Sequence, residues 1–161
     1  MRGMENLNRR DMFLGLTSLT ALMTAGVAAA DGQSGDQPVL AQSRSFAFDA
    51  LPVKKSANGG ASREVIHGFL ATGEYVAMHQ TLLPPGQMPH PPHKHRNSEF
   101  ICIREGTVEY YHDDKTERVG PGGVIFNASN QMHGMKNVGT VDAQYFVIEI
   151  GRTTDAVPVS G

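Results

Sequence analysis

The sequence predicts an all-β domain, a sandwich or small barrel. Three observations carry the prediction. Short runs rich in Val, Ile, Tyr and Phe recur from residue 63 onward, separated by Gly, Pro and Asp-Asp turns. No segment keeps an apolar stripe at helical spacing over three turns. Glycine at 18 and proline at 9 are plentiful, which favours turns over long helices.

The elements follow in order. Arg63–Leu70 and Tyr75–Leu83 read as two strands joined by the turn Ala71–Glu74, and Pro84-Pro85-Gly86 ends the second. Glu99–Arg104 is a strand closed by Glu105-Gly106. Thr107–Tyr111 and Thr116–Val119 form a hairpin around Asp113-Asp114. Val124–Phe126 follows the cluster Gly120, Gly122, Gly123. Met132–Asn137 and Ala143–Ile150 are the last two strands. An immunoglobulin-like sandwich is the alternative, but one cysteine (Cys102) and no tryptophan cannot make its Cys–Trp–Cys core.

Residues 1–30 stand apart from this pattern. Arg9-Arg10 precedes Asp11-Met12-Phe13-Leu14, then a mildly apolar run diluted by Gly, Ser and Thr, and then Ala28-Ala29-Ala30. This resembles a twin-arginine signal peptide cut after Ala30, with a retained anchor as the alternative. The expected destination is the periplasm or the exterior, with no stable membrane insertion after cleavage. Residues 31–61 are expected to be a disordered tether and an N-terminal extension, residues 62–150 the barrel, and residues 151–161 a tail. The formal net charge is −2 and the basic residues are scattered, so nothing points to nucleic acid.

The chemistry concentrates in "PHPPHKHRNSEF", residues 89–100. In extended chain, His93 and His95 project to one side and can reach one ion. Glu99 opens a strand and faces inward if the chain turns between Arg96 and Ser98. Ile101 and Ile103 would share its face, and Phe100 and Cys102 would point away. His133 lies far downstream, where a paired strand could bring it alongside. Three imidazoles and one carboxylate suit a divalent Fe, Mn, Ni, Cu or Zn ion. On an ion that accepts six ligands, two positions stay open for substrate, water or dioxygen.

His93, His95, Glu99 and Gly106 fall in the pattern HxHxxxExxxxxxG. Gly122, His133 and Asn137 repeat a second pattern, a glycine, a histidine eleven residues on and an asparagine four further. Together they resemble the two motifs of the cupins over roughly residues 62–150. The resemblance implies a single-domain jelly-roll barrel holding one metal, with His93, His95, Glu99 and His133 as ligands. It also makes a homodimer through the outer strand faces plausible. Three positions depart from the family pattern. Six residues separate Gly86 from His93 where the family has five. Ala128 and Asn130 replace the usual proline and glycine, and Gly123 the frequent aspartate.

Other residues are weighed for roles. His79 shares a face with Thr81 and Leu83, which allows a proton shuttle inside the barrel or a place in a subunit interface. His90 is expected on the opposite side from His93, since three residues in a Pro-locked extended segment reverse direction; it is a candidate rim residue or substrate contact. His79 and His90 are thus the candidate acid–base groups. His67 and His112 are read as surface residues, Tyr110 and Tyr111 as ordinary strand residues, and Arg104 and Lys136 as possible contacts for an anionic substrate or as ordinary charges at exposed strand ends. The reaction expected is a dioxygenase-type oxidation of a small organic molecule. A non-catalytic metal- or ligand-binding module, or a metal-dependent isomerase or lyase, are the alternatives.

Overall fold

Alternation of apolar and polar side chains builds two sheets that share one core. The structure, a computed structural model, describes residues 39–152. The twin-arginine segment, residues 31–38 of the tether and all but the start of the C-terminal tail lie outside the described residues. The strands are β1 (Val39–Leu40), β2 (Val53–Lys55), β3 (Ala61–Leu70), β4 (Tyr75–Leu83), β5 (Ser98–Glu105), β6 (Val108–His112), β7 (Lys115–Val119), β8 (Val124–Asn127), β9 (His133–Asn137) and β10 (Ala143–Gly151). Among the described residues there is no α-helix, only a 3-10 turn at Phe48–Ala50.

One sheet has the order β1-β3-β4-β10-β5-β8, with β2 also paired to β3; the other is β7-β6-β9. This is the jelly-roll arrangement of cupin barrels. The strand expectations hold to within a few residues at each end. Two short strands precede the barrel expected over residues 62–150. Val39–Leu40 pairs in parallel with Phe69–Leu70, and Val53–Lys55 pairs with Ala61–Arg63. Ordered chain therefore begins well before residue 62. Phe48 explains part of this, because Arg63 and Arg104 lie over its ring at 4.3 and 5.7 Å. Arg104 thus lies over Phe48 and is not among the residues that line the cavity described below.

On β5, Glu99, Ile101 and Ile103 are buried and Phe100 is exposed, so the alternation reads as expected. Leu83, Ile101, Ile103, Ala143, Tyr145 and Val147 from the large sheet meet Val108, Tyr110 and Met135 from the small one. Each such side chain contributes roughly 1.5–3 kcal/mol by leaving water.

Turns fix the register. Asp113 and Asp114 both have positive φ (45° and 59°), as a two-residue hairpin between β6 and β7 requires. Gly106 and Gly122 have φ of 80° and 82°, so the motif glycines serve left-handed turns. Asn130 stands where the resemblance expects glycine and still adopts φ 59°. Asparagine is one of the few side chains that tolerates this region. We expect Asn130→Gly to be close to neutral and Asn130→Val to cost about 1–2 kcal/mol in urea denaturation. Gly123 has another reason: an added Cβ would lie 2.4 Å from Val119 Cγ1. The family aspartate could not fit there.

Candidate metal centre

The two histidine groups meet because the backbone joins them. His93 N–H donates to His133 O and His133 N–H donates to His93 O, both at 2.9 Å, in a lone antiparallel bridge. Gly134 permits this approach, since a Cβ there would stand 3.0 Å from Pro92 Cγ. Asn130 N–H also donates to His95 O at 2.7 Å, which fixes the loop carrying His95 beside the loop that leads to β9.

One ring nitrogen from each of His93, His95 and His133 falls within 4.8 Å of the others. Hydrogen bonds decide which nitrogen is free on two of them. His95 Nδ1 faces Asn97 O at 2.7 Å and His133 Nδ1 faces Gln131 O at 2.9 Å. A carbonyl only accepts, so both Nδ1 atoms carry the proton and both Nε2 atoms carry a lone pair. Those Nε2 atoms and His93 Nδ1 are buried without a hydrogen-bond partner. Buried polar atoms are rarely left so. Three at one point indicate a ligand for lone pairs.

Glu99 completes the set. Its carboxylate oxygens lie 3.7 Å from His95 Nε2 and 3.9 Å from His133 Nε2. Two donors on one ion, each bonded at about 2.1 Å, stand no more than about 4.2 Å apart. The carboxylate pairs satisfy this, and the imidazoles need only a sub-ångström contraction. The three histidines therefore could hold a divalent transition ion, with the Glu99 carboxylate beside two of them.

The charge states agree with that fit. Burial, reinforced by His90, His133 and His95, pushes His93 down to about 4. Burial also lowers His133. Both rings are thus neutral near pH 7, as ligands must be. His95 is raised, chiefly by the Glu99 carboxylate. Burial alone would raise Glu99, but His95, Asn127 and His133 outweigh it and hold its carboxyl below the usual range.

A relay missed at the sequence level orients Glu99. Asn127 Nδ2 donates to Glu99 Oε1 at 2.6 Å, and Tyr110 Oη donates to Asn127 Oδ1 at 2.6 Å. Tyr110 forces the amide to present its nitrogen to the carboxylate. It is therefore more than an ordinary strand residue. The only sequence signal was its place on the inward face of β6. Tyr110→Phe should strand Asn127 Oδ1, cost about 1–2 kcal/mol in chemical denaturation and weaken metal binding about tenfold by competitive chelator titration.

His90 differs from expectation. Its ring lies edge-on to that of His93 with centroids 4.1 Å apart. Residues 89–97 run through bends rather than a strand, so side-chain alternation does not apply to them. His90 Nδ1 contacts Pro91 O at 3.0 Å, and the ring is exposed at the mouth of a cavity of about 410 Å³. It is not among the converging donors. His79 lines the same cavity from β4, and burial lowers its pKa. His67 is exposed beside Glu64, whereas His112 is partly covered, stacked on Tyr110 at 4.7 Å. Glu149 is a further interior group, in register with Glu99. Burial, then the nearby Glu99 charge, raises its pKa.

Residues 79–149 match the family model described as Cupin domain. No curated protein matches the chain in sequence. Several solved structures share its fold. KdgF from a Halomonas species is 18% identical with a TM-score of 0.59, over 70% of this chain and 98% of that one. An RmlC-like cupin from Shewanella frigidimarina is 19% identical with a TM-score of 0.58, over 72% and 98%. A predicted oxalate decarboxylase from Thermotoga maritima is 20% identical with a TM-score of 0.56, over 67% and 99%. The family match is confined to residues 79–149, and the likeness in structure speaks for the fold alone.

Proposed function

Starting from a cupin domain over residues 79–149, we propose that this protein is an exported, metal-dependent oxidoreductase of the dioxygenase type, acting on a small organic molecule. The observation that carries the reading is the convergence of three unpartnered imidazole nitrogens and one carboxylate on a single cavity. A divalent ion there would supply Lewis acidity and, if redox-active, electron transfer toward dioxygen.

The chain's own residues do the rest. His93, His95 and His133, with Glu99, would hold the ion at the cavity wall. Asn127 and Tyr110 keep Glu99 turned inward. Ile101, Met135, Leu83 and Val147 give the cavity apolar walls that exclude bulk water around a bound molecule. The β2–β3 turn narrows the mouth, where Asn58 Nδ2 donates to Met88 O at 3.0 Å. Export by the twin-arginine route belongs to the same reading, since a chain folded before export can be loaded with its ion in the cytoplasm. A homodimer is proposed through the outer sheet face, where Phe100 and Phe126 pack at 4.9 Å and stand partly exposed; sedimentation velocity reads this directly.

One observation favours a second reading, an isomerase or lyase. His79 and Glu149 line the cavity beside the metal ligands and offer acid–base groups. An oxygen electrode separates the two. Iron- or manganese-loaded protein should consume oxygen with at least one member of a panel of phenols, diketones and thiols. No uptake with any metal would overturn the first reading. Loss of turnover in His79→Ala with metal content intact would favour the second.

A further inference from the structure

The cavity has a second polar point that the metal centre does not use. On the inward face of β10, Ala143, Tyr145, Val147 and Glu149 are all buried. Glu149 lies opposite the ligand Glu99. Tyr145 is four residues back along the strand, roughly 13 Å of chain. It is only 2% exposed, it lines the cavity, and its hydroxyl has no hydrogen-bond partner. Thr81 is its cross-strand neighbour on β4; the two hydroxyls are close enough to influence each other but do not form a well-aligned hydrogen bond. His79 sits one inward position further along β4, opposite Val147.

A buried hydroxyl without a partner costs stability, so its retention at a cavity wall calls for an occupant. Burial raises the Tyr145 pKa, opposed by the Thr81 hydroxyl and reinforced by the Glu99 charge. The hydroxyl therefore stays protonated and donates. Leu83, Ile101, Met135 and Val147 line the cavity with it, and among the charged groups Glu99 acts on it. A charged group among those apolar side chains would lose its hydration, whereas a neutral carbonyl would lose far less.

We infer that Tyr145 donates a hydrogen bond to an uncharged carbonyl oxygen of the substrate, at a point distinct from the metal ligands. The proposal rests on the reading of the cavity as a metal-dependent small-molecule site. The substrate is then a molecule with two oxygen functions, one directed to the metal donors and one, a ketone, ester or amide carbonyl, received by Tyr145. Thr81 and His79 border that second point.

The test measures binding without turnover, on zinc-loaded full-length protein. The probes are 4-hydroxyacetophenone, 4-ethylphenol, which has the same outline without the carbonyl, and 4-hydroxybenzoate, which replaces the ketone by an anion. Calorimetry on the wild type should show the ketone binding at least tenfold more tightly than either of the others. Tyr145→Phe should erase the ketone's advantage over 4-ethylphenol while zinc content stays at the wild-type level. The ligand-free variant should melt at or slightly above the wild-type temperature, because no internal hydrogen bond is lost. The proposal is overturned by equal binding of ketone and ethyl compounds, by preference for the carboxylate, by no binding of any probe, or by a markedly lower Tm for Tyr145→Phe. Failure of the metal-enzyme reading shows separately, as absent oxygen uptake or absent metal.

Discussion

His133→Ala leaves a folded barrel that no longer retains metal. We expect metal content, by elemental analysis after gel filtration, to fall from about one ion per chain to near zero. The reason lies in the donor set. With His133 gone, only His93, His95 and Glu99 remain. The ion loses a neutral imidazole whose orientation is already fixed by Gln131 O. Losing a preorganised ligand costs more than losing a partner that only positions one, for which tenfold to a hundredfold is usual. The backbone bridge between residues 93 and 133 survives the substitution, because it uses only main-chain atoms. Circular dichroism should therefore stay β-rich. The metal-free wild type gives the stability comparison. Saturation at one hundred times Kd adds about 2.7 kcal/mol, so chelation should lower the wild-type Tm and leave that of His133→Ala unchanged. Retention of a full complement of metal by the variant would remove the basis for the site.

Asn137→Ala should have the largest effect on stability, about 3–4 kcal/mol in urea denaturation. The side chain is fully buried. Its Nδ2 donates to Leu83 O at 2.8 Å and to Val141 O at 2.9 Å, and its Oδ1 accepts from Gly139 N at 2.9 Å. Its main chain exchanges further bonds with the loop before the metal ligands: Gly86 N–H donates to Asn137 O and Asn137 N–H to Gln87 O. One amide thus ties the end of β4, the loop after β9 and the approach to β10. Alanine removes all three side-chain bonds at once and leaves two carbonyls and one N–H without them. Asn137→Asp keeps the acceptor but loses the donors, and places a charge in a dry site, so it should be at least as harmful. A cost below 1 kcal/mol for both variants would mean that water or local relaxation replaces these bonds.

Much of this protein is legible in its chain order. Strand positions follow from alternation, which depends on pleating within one strand. The hairpin at Asp113-Asp114 follows from turn chemistry that needs two positive φ values. The ligand types follow from the density of imidazoles and the spacing to Glu99. Each rests on residues a few positions apart, where geometry is nearly independent of the rest of the fold.

What failed at the sequence level depended on contacts between distant segments. Treating residues 89–97 as extended put His90 and His93 on opposite sides, but the prolines and the bridge to β9 bend that segment and bring the rings together. The pairing of Val39–Leu40 and Val53–Lys55 with β3 was likewise not legible, because it depends on an edge that β3 offers only once the sheet has formed. The sequence alone thus determined an all-β barrel and the kind of atoms available for a metal. Only the tertiary structure decided that Asn127 and Tyr110 orient Glu99, and that Tyr145 and Glu149 look into the same cavity. Register between strands selects those neighbours, and register is set by pairing across the whole sheet, a property no short window of sequence contains.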